Sequence, residues 1–187
     1  MRKLLGIAVV LALGATTVRA DSIDDDFRRA RASAANGATA QSVTAMRSAA
    51  ADLRLETPFG FSEALLVSAK APRYGAFEPR PDNIFRPGDV VLVYAEPTGY
   101  GWRSDGDWFS TDLVVDAALL TADGESLWGQ EGFGEFNLTS RYRFLEYMLN
   151  LELNITGLPA GDYVLEYTIT DNIRGQTASI SLPIVGK

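Results

Sequence analysis

The stretch Leu158-Pro159-Ala160-Gly161-Asp162-Tyr163, running on into Val164-Leu165-Glu166-Tyr167-Thr168-Ile169-Thr170, decides the fold. Tyr163, Leu165, Tyr167 and Ile169 fall on one side of a period of two, and Glu166, Thr168 and Thr170 on the other. That pattern describes a strand with one buried and one wet face. Asp171-Asn172-Ile173-Arg174-Gly175 reads as a turn. A second alternating strand follows, with Ala178, Ile180, Leu182 and Ile184 on its inner side. The two strands form a β-hairpin. A slip of one residue would invert both apolar sets, so the register is well specified.

Working back from this hairpin, strand candidates fall at 63–70, 89–96, 109–121, 125–130, 142–155, 162–170 and 176–185. In the fifth, Leu145, Tyr147, Leu149, Leu151, Leu153 and Ile155 make the inner set. Arg86-Pro87-Gly88-Asp89 suits a type II turn, and Asp123-Gly124 a hairpin turn. Pro183 cannot donate a ladder bond, which places the last strand at an edge or a bulge. Seven strands with turn signals, and a Leu-Pro-x-Gly-x-Tyr corner whose tyrosine hydroxyl turns back to nearby backbone, predict an antiparallel immunoglobulin-like sandwich over residues 58–187.

The N-terminal part differs in kind. Arg2 and Lys3, an apolar run from Leu4 to Ala15, and Val18-Arg19-Ala20 fit a signal peptide over residues 1–20. The run is too short to span a bilayer, and no later stretch is long and apolar enough to do so. Residues 21–57 read as one or two short helices, or as partly disordered. Ser22 with Asp25 resembles a capping box for a helix up to Ala35, and Asn36-Gly37 breaks it. A second helix fits 39–55, with Val43, Met46, Ala50 and Leu53 as its packing stripe. Pro58 follows its end.

The net charge is −7, and it is more negative without residues 1–20, which carry Arg2, Lys3 and Arg19 and no acid. An acidic surface disfavours nucleic acid and anionic membranes as partners. The chain has no cysteine, so an exported domain would rest on its hydrophobic core alone. This suits a bacterial periplasm or secretion into a medium without glycosylation. The sequons at Asn137 and Asn154 are then chance matches.

Phe85-Arg86-Pro87-Gly88-Asp89, Leu92-Val93-Tyr94-Ala95-Glu96, Asp123-Gly124, the corner at 158–165, Asp171, the segment Gly175 to Ala178, and Leu182-Pro183 form a recurring pattern. In these positions the chain resembles a loosely defined set of uncharacterised exported bacterial proteins, over roughly residues 60–186. The resemblance implies an immunoglobulin-like fold. It carries no catalytic residue with it.

With neither histidine nor cysteine, the usual neutral-pH base, the thiol nucleophile and most transition-metal sites are missing. No Gly-x-Ser-x-Gly, phosphate-loop or dinucleotide glycine pattern occurs. The most unusual local sequence is the connection 97–108, rich in glycine and aromatic residues. In a sandwich it projects from the same end as the turn at Asp171–Gly175. Tyr100, Trp102, Arg103, Asp105, Asp107, Asp171 and Arg174 are therefore the candidate binding residues, of types that anchor interfaces or stack on sugars. The competing reading makes Trp108 and Phe109 a cap on the core and folds Trp102 under its own loop. Asp105, Asp107 and Asp171 are also a conceivable calcium set, against which stands an ordinary acidic turn. The basic pair around Tyr142, Arg141 and Arg143, is expected to balance Glu131, Glu135 and Glu146 across strands.

The function expected is that of an exported, non-catalytic module, without cofactor, binding a protein or a glycan through the 97–108 connection. An envelope assembly component acting through its N-terminal helices is the alternative. A hydrolase built on two carboxylates is a further one, which would need a closely spaced acid pair.

Overall fold

The structure, a computed structural model, describes residues 15–187, with side chains from Ser22 onward. The signal-peptide reading of residues 1–20 falls mainly outside the described residues. Two compact units divide between Asp52 and Leu53.

The first unit contains α1 (Ala15–Ala35) and most of α2 (Thr39–Leu55). The second helix has the bounds its sequence predicts. The first does not start at Ser22. No glycine or proline interrupts Ala15 to Ala35, so the helix runs straight through the expected cap. Asp25 and Asp26 instead pair with Arg28 and Arg29, three residues on along the helix. The stripe expected to pack is also corrected, because Val43, Met46 and Leu53 are exposed. The buried positions of α2 are Ala49 and Ala51, whose side chains are too small to dominate a hydrophobic pattern. No described helix is long and apolar enough to cross a membrane.

The second unit is mostly β. Its strands are β1 (Gly60–Leu66), β2 (Ile84–Phe85), β3 (Val90–Thr98), β4 (Arg103–Asp105), β5 (Trp108–Ser110), β6 (Leu113–Thr121), β7 (Ser126–Phe136), β8 (Thr139–Ser140), β9 (Leu149–Asn154), β10 (Gly161–Asp171) and β11 (Gln176–Gly186). They make a three-stranded sheet, β1-β3-β9, a five-stranded sheet, β2-β11-β10-β6-β7, and a small third sheet, β4-β5-β8. Eleven strands thus replace the seven expected.

One core joins the two larger sheets. Val91, Val93, Ala95, Leu149 and Leu151 supply it from one side, and Leu113, Val115, Leu165, Tyr167 and Ile169 from the other. Burying a side chain of this size contributes about 1.5–3 kcal/mol. The closing hairpin pairs without a break from Gly161↔Gly186 to Asp171↔Gln176, and its alternation is the one the sequence displays. Tyr163 is buried and donates to the Pro159 carbonyl at 3.0 Å, which fixes the corner. β11 has a strand beyond it only at Val185 and Gly186, which pair parallel with Ile84 and Phe85. Pro183 therefore lies where no ladder bond is required of it.

Three elements depart from expectation. The strand expected at 109–121 breaks at Thr111-Asp112. Thr111 exchanges hydrogen bonds with Leu138, while the Asp112 carbonyl accepts from the Asn172 amide at 3.0 Å, so β5 is drawn off into the third sheet. The strand expected at 142–155 begins only at Leu149, because Phe144 and Tyr147 leave the ladder to join an aromatic cluster. β7 runs on through the glycine-rich segment expected to be a connection. Its register against β6 shifts twice, and at one shift Asp116 accepts from the Gly132 amide at 2.7 Å. Such bulges re-aim side chains and break the period of two.

The outer face of β3 is not wet either. Tyr94 lies in a second apolar cluster with Val67 and Ala71, packed by Phe77 and Met148. Its ring stacks on Phe77 with centroids 4.4 Å apart. The chain between β1 and β2 thus covers this side of the sheet.

Candidate functional site

The connection following β3 and the turn following β10 do meet. Gly101 donates its amide to Asp171 Oδ2 at 2.6 Å, and Asp171 Oδ1 accepts from the amides of Ile173 at 2.9 Å and Arg174 at 3.3 Å. Asp171 has no exposed surface. A buried carboxylate is tolerable when several N–H donors take its charge, as they do here. Arg174 reaches the other way and donates to three carbonyls, those of Gly99, Thr57 at 3.0 Å and Leu55 at 3.1 Å. The last of these is at the carboxyl end of α2, where a cation is favoured. Two close approaches require glycine. At Gly99, with φ 73°, a Cβ would lie 2.4 Å from the Pro58 oxygen; at Gly101 it would lie 2.7 Å from Ile173 Cγ2.

Tyr100 is buried and donates to the Phe144 carbonyl at 2.9 Å. Burial pushes its hydroxyl pKa up, with the nearby Arg54 opposing this. Trp102 is half-buried and meets Phe144 edge-on, with centroids 4.5 Å apart. Of the expected binding residues, Asp171 and Arg174 are thus engaged in holding the two loops together, and Tyr100 and Trp102 in packing against the segment before β9. Asp171 is fully buried with both oxygens accepting from amides, whereas Asp105 and Asp107 are exposed. Among the described residues no cluster of three metal-ligating side chains occurs.

Arg103, Asp105 and Asp107 are exposed, on the β4–β5 hairpin. Its two strands pair Arg103↔Ser110 to Asp105↔Trp108, and β8 pairs on the other side of β5. Trp108, read as a core cap, is instead 45% exposed. The Arg141 guanidinium lies over its ring at 4.0 Å and pairs with Asp107 at 3.2 Å. Arg141 therefore does not balance the glutamates expected. Its position beside Asp107 follows from the register of β5 on β8, which no local pattern announced. Tyr142, next to it, is 66% exposed. Arg103 makes a looser pair with Asp112 at 3.7 Å.

A second buried carboxylate lies under the outer loop. Glu96 accepts from the Tyr94 hydroxyl at 2.5 Å and from the Ser62 hydroxyl at 3.2 Å. The period of two places Tyr94 and Glu96 on the same face of β3. Burial, and then the bond to Glu96, push Tyr94 up to about 12, while the Gly75 amide on its oxygen pulls the other way. The Leu-x-Tyr-x-Glu spacing of the sequence is thereby a device for fastening the outer loop.

The sequence reading missed a cavity of about 730 Å³ along the flank where β7 and β9 are the sheet edges. Trp128 and Phe133 from β7, Leu119 from β6, and Leu153, Ile155 and Leu158 from the opposite side wall it. Trp128 and Phe133 meet edge-on at 6.3 Å, and Phe133 tilts against Tyr167 at 5.6 Å. Leu127 occupies the residue skipped at one register shift of β7 and sits at the cavity, 51% exposed.

No protein-family model and no curated protein matches the chain. Among solved structures it is similar to the sporulation control protein Spo0M from Bacillus subtilis, at 10% identity and a TM-score of 0.38, over 70% of this chain and 50% of that one. It therefore spans half the length of that protein. It is also similar to the C-terminal domain of wzt, at 13% identity and a TM-score of 0.41, over 69% of this chain and 73% of that one. A third similarity is to the CARDB domain of the PF1109 protein from Pyrococcus furiosus, at 9% identity and a TM-score of 0.32, over 70% and 86% of the two chains. Likenesses of this order assign no function.

Proposed function

We propose that the chain is an exported, non-catalytic module of immunoglobulin-like type that docks a protein partner on the β4–β5–β8 surface. Three features support the fold assignment: a three-stranded sheet facing a five-stranded one, the parallel pairing of β2 with β11, and the Tyr163 corner. The basic start, apolar run and small-x-Ala triplet of residues 1–20 support export to the periplasm or medium. The assignment to binding rather than catalysis is supported by how the two buried carboxylates of the sandwich, Glu96 and Asp171, are engaged in internal hydrogen bonds.

The observation that carries the reading is the Asp107–Arg141–Trp108 stack. An exposed tryptophan held by a cation, itself held by a carboxylate, is an aromatic anchor ordered before any partner arrives. Less ordering entropy is then lost on binding. A protein is favoured over a glycan because Arg141 already covers one face of the ring that a sugar would stack on. Arg103, Asp105 and Asp107 around it offer both signs of charge, and Tyr142 adds a second exposed aromatic. Affinity capture from the native envelope fraction, with Trp108→Ala and Arg141→Ala as controls, tests this. The expected result is a partner lost from both variants while Tm is unchanged. A partner retained by both removes the hairpin from the interface.

A further inference from the structure

We propose that the flank cavity between β7 and β9 is a binding site for one neutral amphiphile, its slender apolar body inside and an uncharged hydroxyl or amide head at the mouth. The volume of about 730 Å³ lies within the roughly 300–1,000 Å³ typical of sites for small organic ligands. The cavity follows from the topology. Five strands face three, so the inner side of β7 overhangs the edge strand β9 with no strand opposite. Trp128, Phe133 and Leu153 pack against the core yet stay only partly buried. An apolar body lying between them would complete the burial that the missing strand leaves undone. The bulged register of β7 directs Leu127 and Trp128, adjacent in sequence, to the same opening.

The head group follows from the charges. Glu152 is the one charged side chain among the described lining residues, and its carboxylate pairs with Lys70. Among the described residues no lysine or arginine lines the cavity. A carboxylate or phosphate head would therefore lose its hydration with no lining cation to take its charge, Lys70 being already engaged by Glu152. Thr121, Gln130, Asn154 and Thr156 offer hydroxyl and amide donors and acceptors instead. This site is separate from the hairpin carrying Trp108, so its failure and that of the partner surface are distinguishable.

The test uses the full chain with Nile red as a neutral fluorescent probe, displaced by monoolein, by oleate or by an alternating Val-Thr peptide. The expected result is saturable uptake of Nile red, displaced by monoolein at least about tenfold more effectively than by oleate. Leu153→Trp, which fills the cavity, should abolish uptake. Leu127→Glu, an exposed change at the opening that the fold tolerates, should weaken it about three- to tenfold with no change in Tm. Trp108→Ala should leave it unaltered. Absence of saturable uptake by the folded wild type overturns the site, as does uptake unaffected by Leu127→Glu. Equal displacement by oleate overturns the neutral head. Displacement by the peptide and not by monoolein would give the cavity to a strand added at β9 and overturn the amphiphile.

Discussion

Asp171 Oδ2 lies 2.6 Å from the amide nitrogen of Gly101, seventy positions earlier in the chain, and no part of Asp171 is exposed. The same carboxylate also accepts from Ile173 and Arg174. The acid that a sequence reading offers to a ligand is thus the tie between the loops at this end of the sandwich.

Asp171→Ala leaves three amides without their acceptor. Each buried donor so orphaned costs about 1–3 kcal/mol, reduced where water enters. A loss of about 2–4 kcal/mol is expected from urea denaturation, read as a lower midpoint at constant m. Asp171→Asn keeps one acceptor oxygen and should lose about half as much. A midpoint unmoved by Asp171→Ala would mean that Asp171 does not hold the loops.

Arg174 is expected to resist its conservative replacement. Its guanidinium meets the carbonyls of Leu55, Thr57 and Gly99, and a lysine ammonium has neither the fork nor the span to reach all three. Arg174→Lys should cost about 1–2 kcal/mol in the same assay. Amide exchange should rise first in the segment just after α2. Equal exchange there in both proteins would show that Arg174 does not fasten it.

What the sequence made legible follows from which residues obey a simple period. β10 and β11 alternate cleanly because each has one face on the core, and their turn, corner and register are as expected. β7 is only half legible, since one shift of register brings Leu127 and Trp128 to one opening and the other falls among its glycines. The same break hid the cavity. The outer face of β3 is covered by the long connection between β1 and β2, which buries Tyr94 and Glu96 there through residues far away in sequence. At the candidate site, residue type alone could not separate Arg174, whose partners are backbone carbonyls, from Arg103, which is exposed. Nor could it find Arg141, which reaches Trp108 through a pairing of strands distant in sequence.

Alkaline pH should unfold the domain through its tyrosines. Burial pushes Tyr94 and Tyr147 up to about 12, from an ordinary value of 10.0, and pushes Tyr100 and Tyr167 up further. A raised pKa means that the folded state holds the proton after the unfolded chain has released it. Stability from these groups is therefore complete below about pH 10 and is lost as pH rises from there through the folded values. The part of the tyrosinate absorbance that belongs to these four buried groups should appear together with the change in circular dichroism above pH 10, as one cooperative transition. Tyr94→Phe combined with Tyr147→Phe should make the loss shallower. Tyrosinate absorbance rising fully before any unfolding would contradict the burial.

Two tyrosines of the same strand should respond oppositely to loss of their hydroxyls. The Tyr163 hydroxyl donates to the Pro159 carbonyl, so Tyr163→Phe should cost about 1 kcal/mol. The Tyr167 hydroxyl is buried with no hydrogen-bond partner among the described residues. Its desolvation is uncompensated in the folded state, so Tyr167→Phe should be neutral or stabilising by up to about 1 kcal/mol. Four residues apart on β10, both rings face inward, so their apolar burial changes little in either variant. Parallel thermal melts of the two variants decide the matter. A loss in Tyr167→Phe as large as that in Tyr163→Phe would show that the Tyr167 hydroxyl is in fact satisfied, and that the core beside Phe133 holds a polar partner.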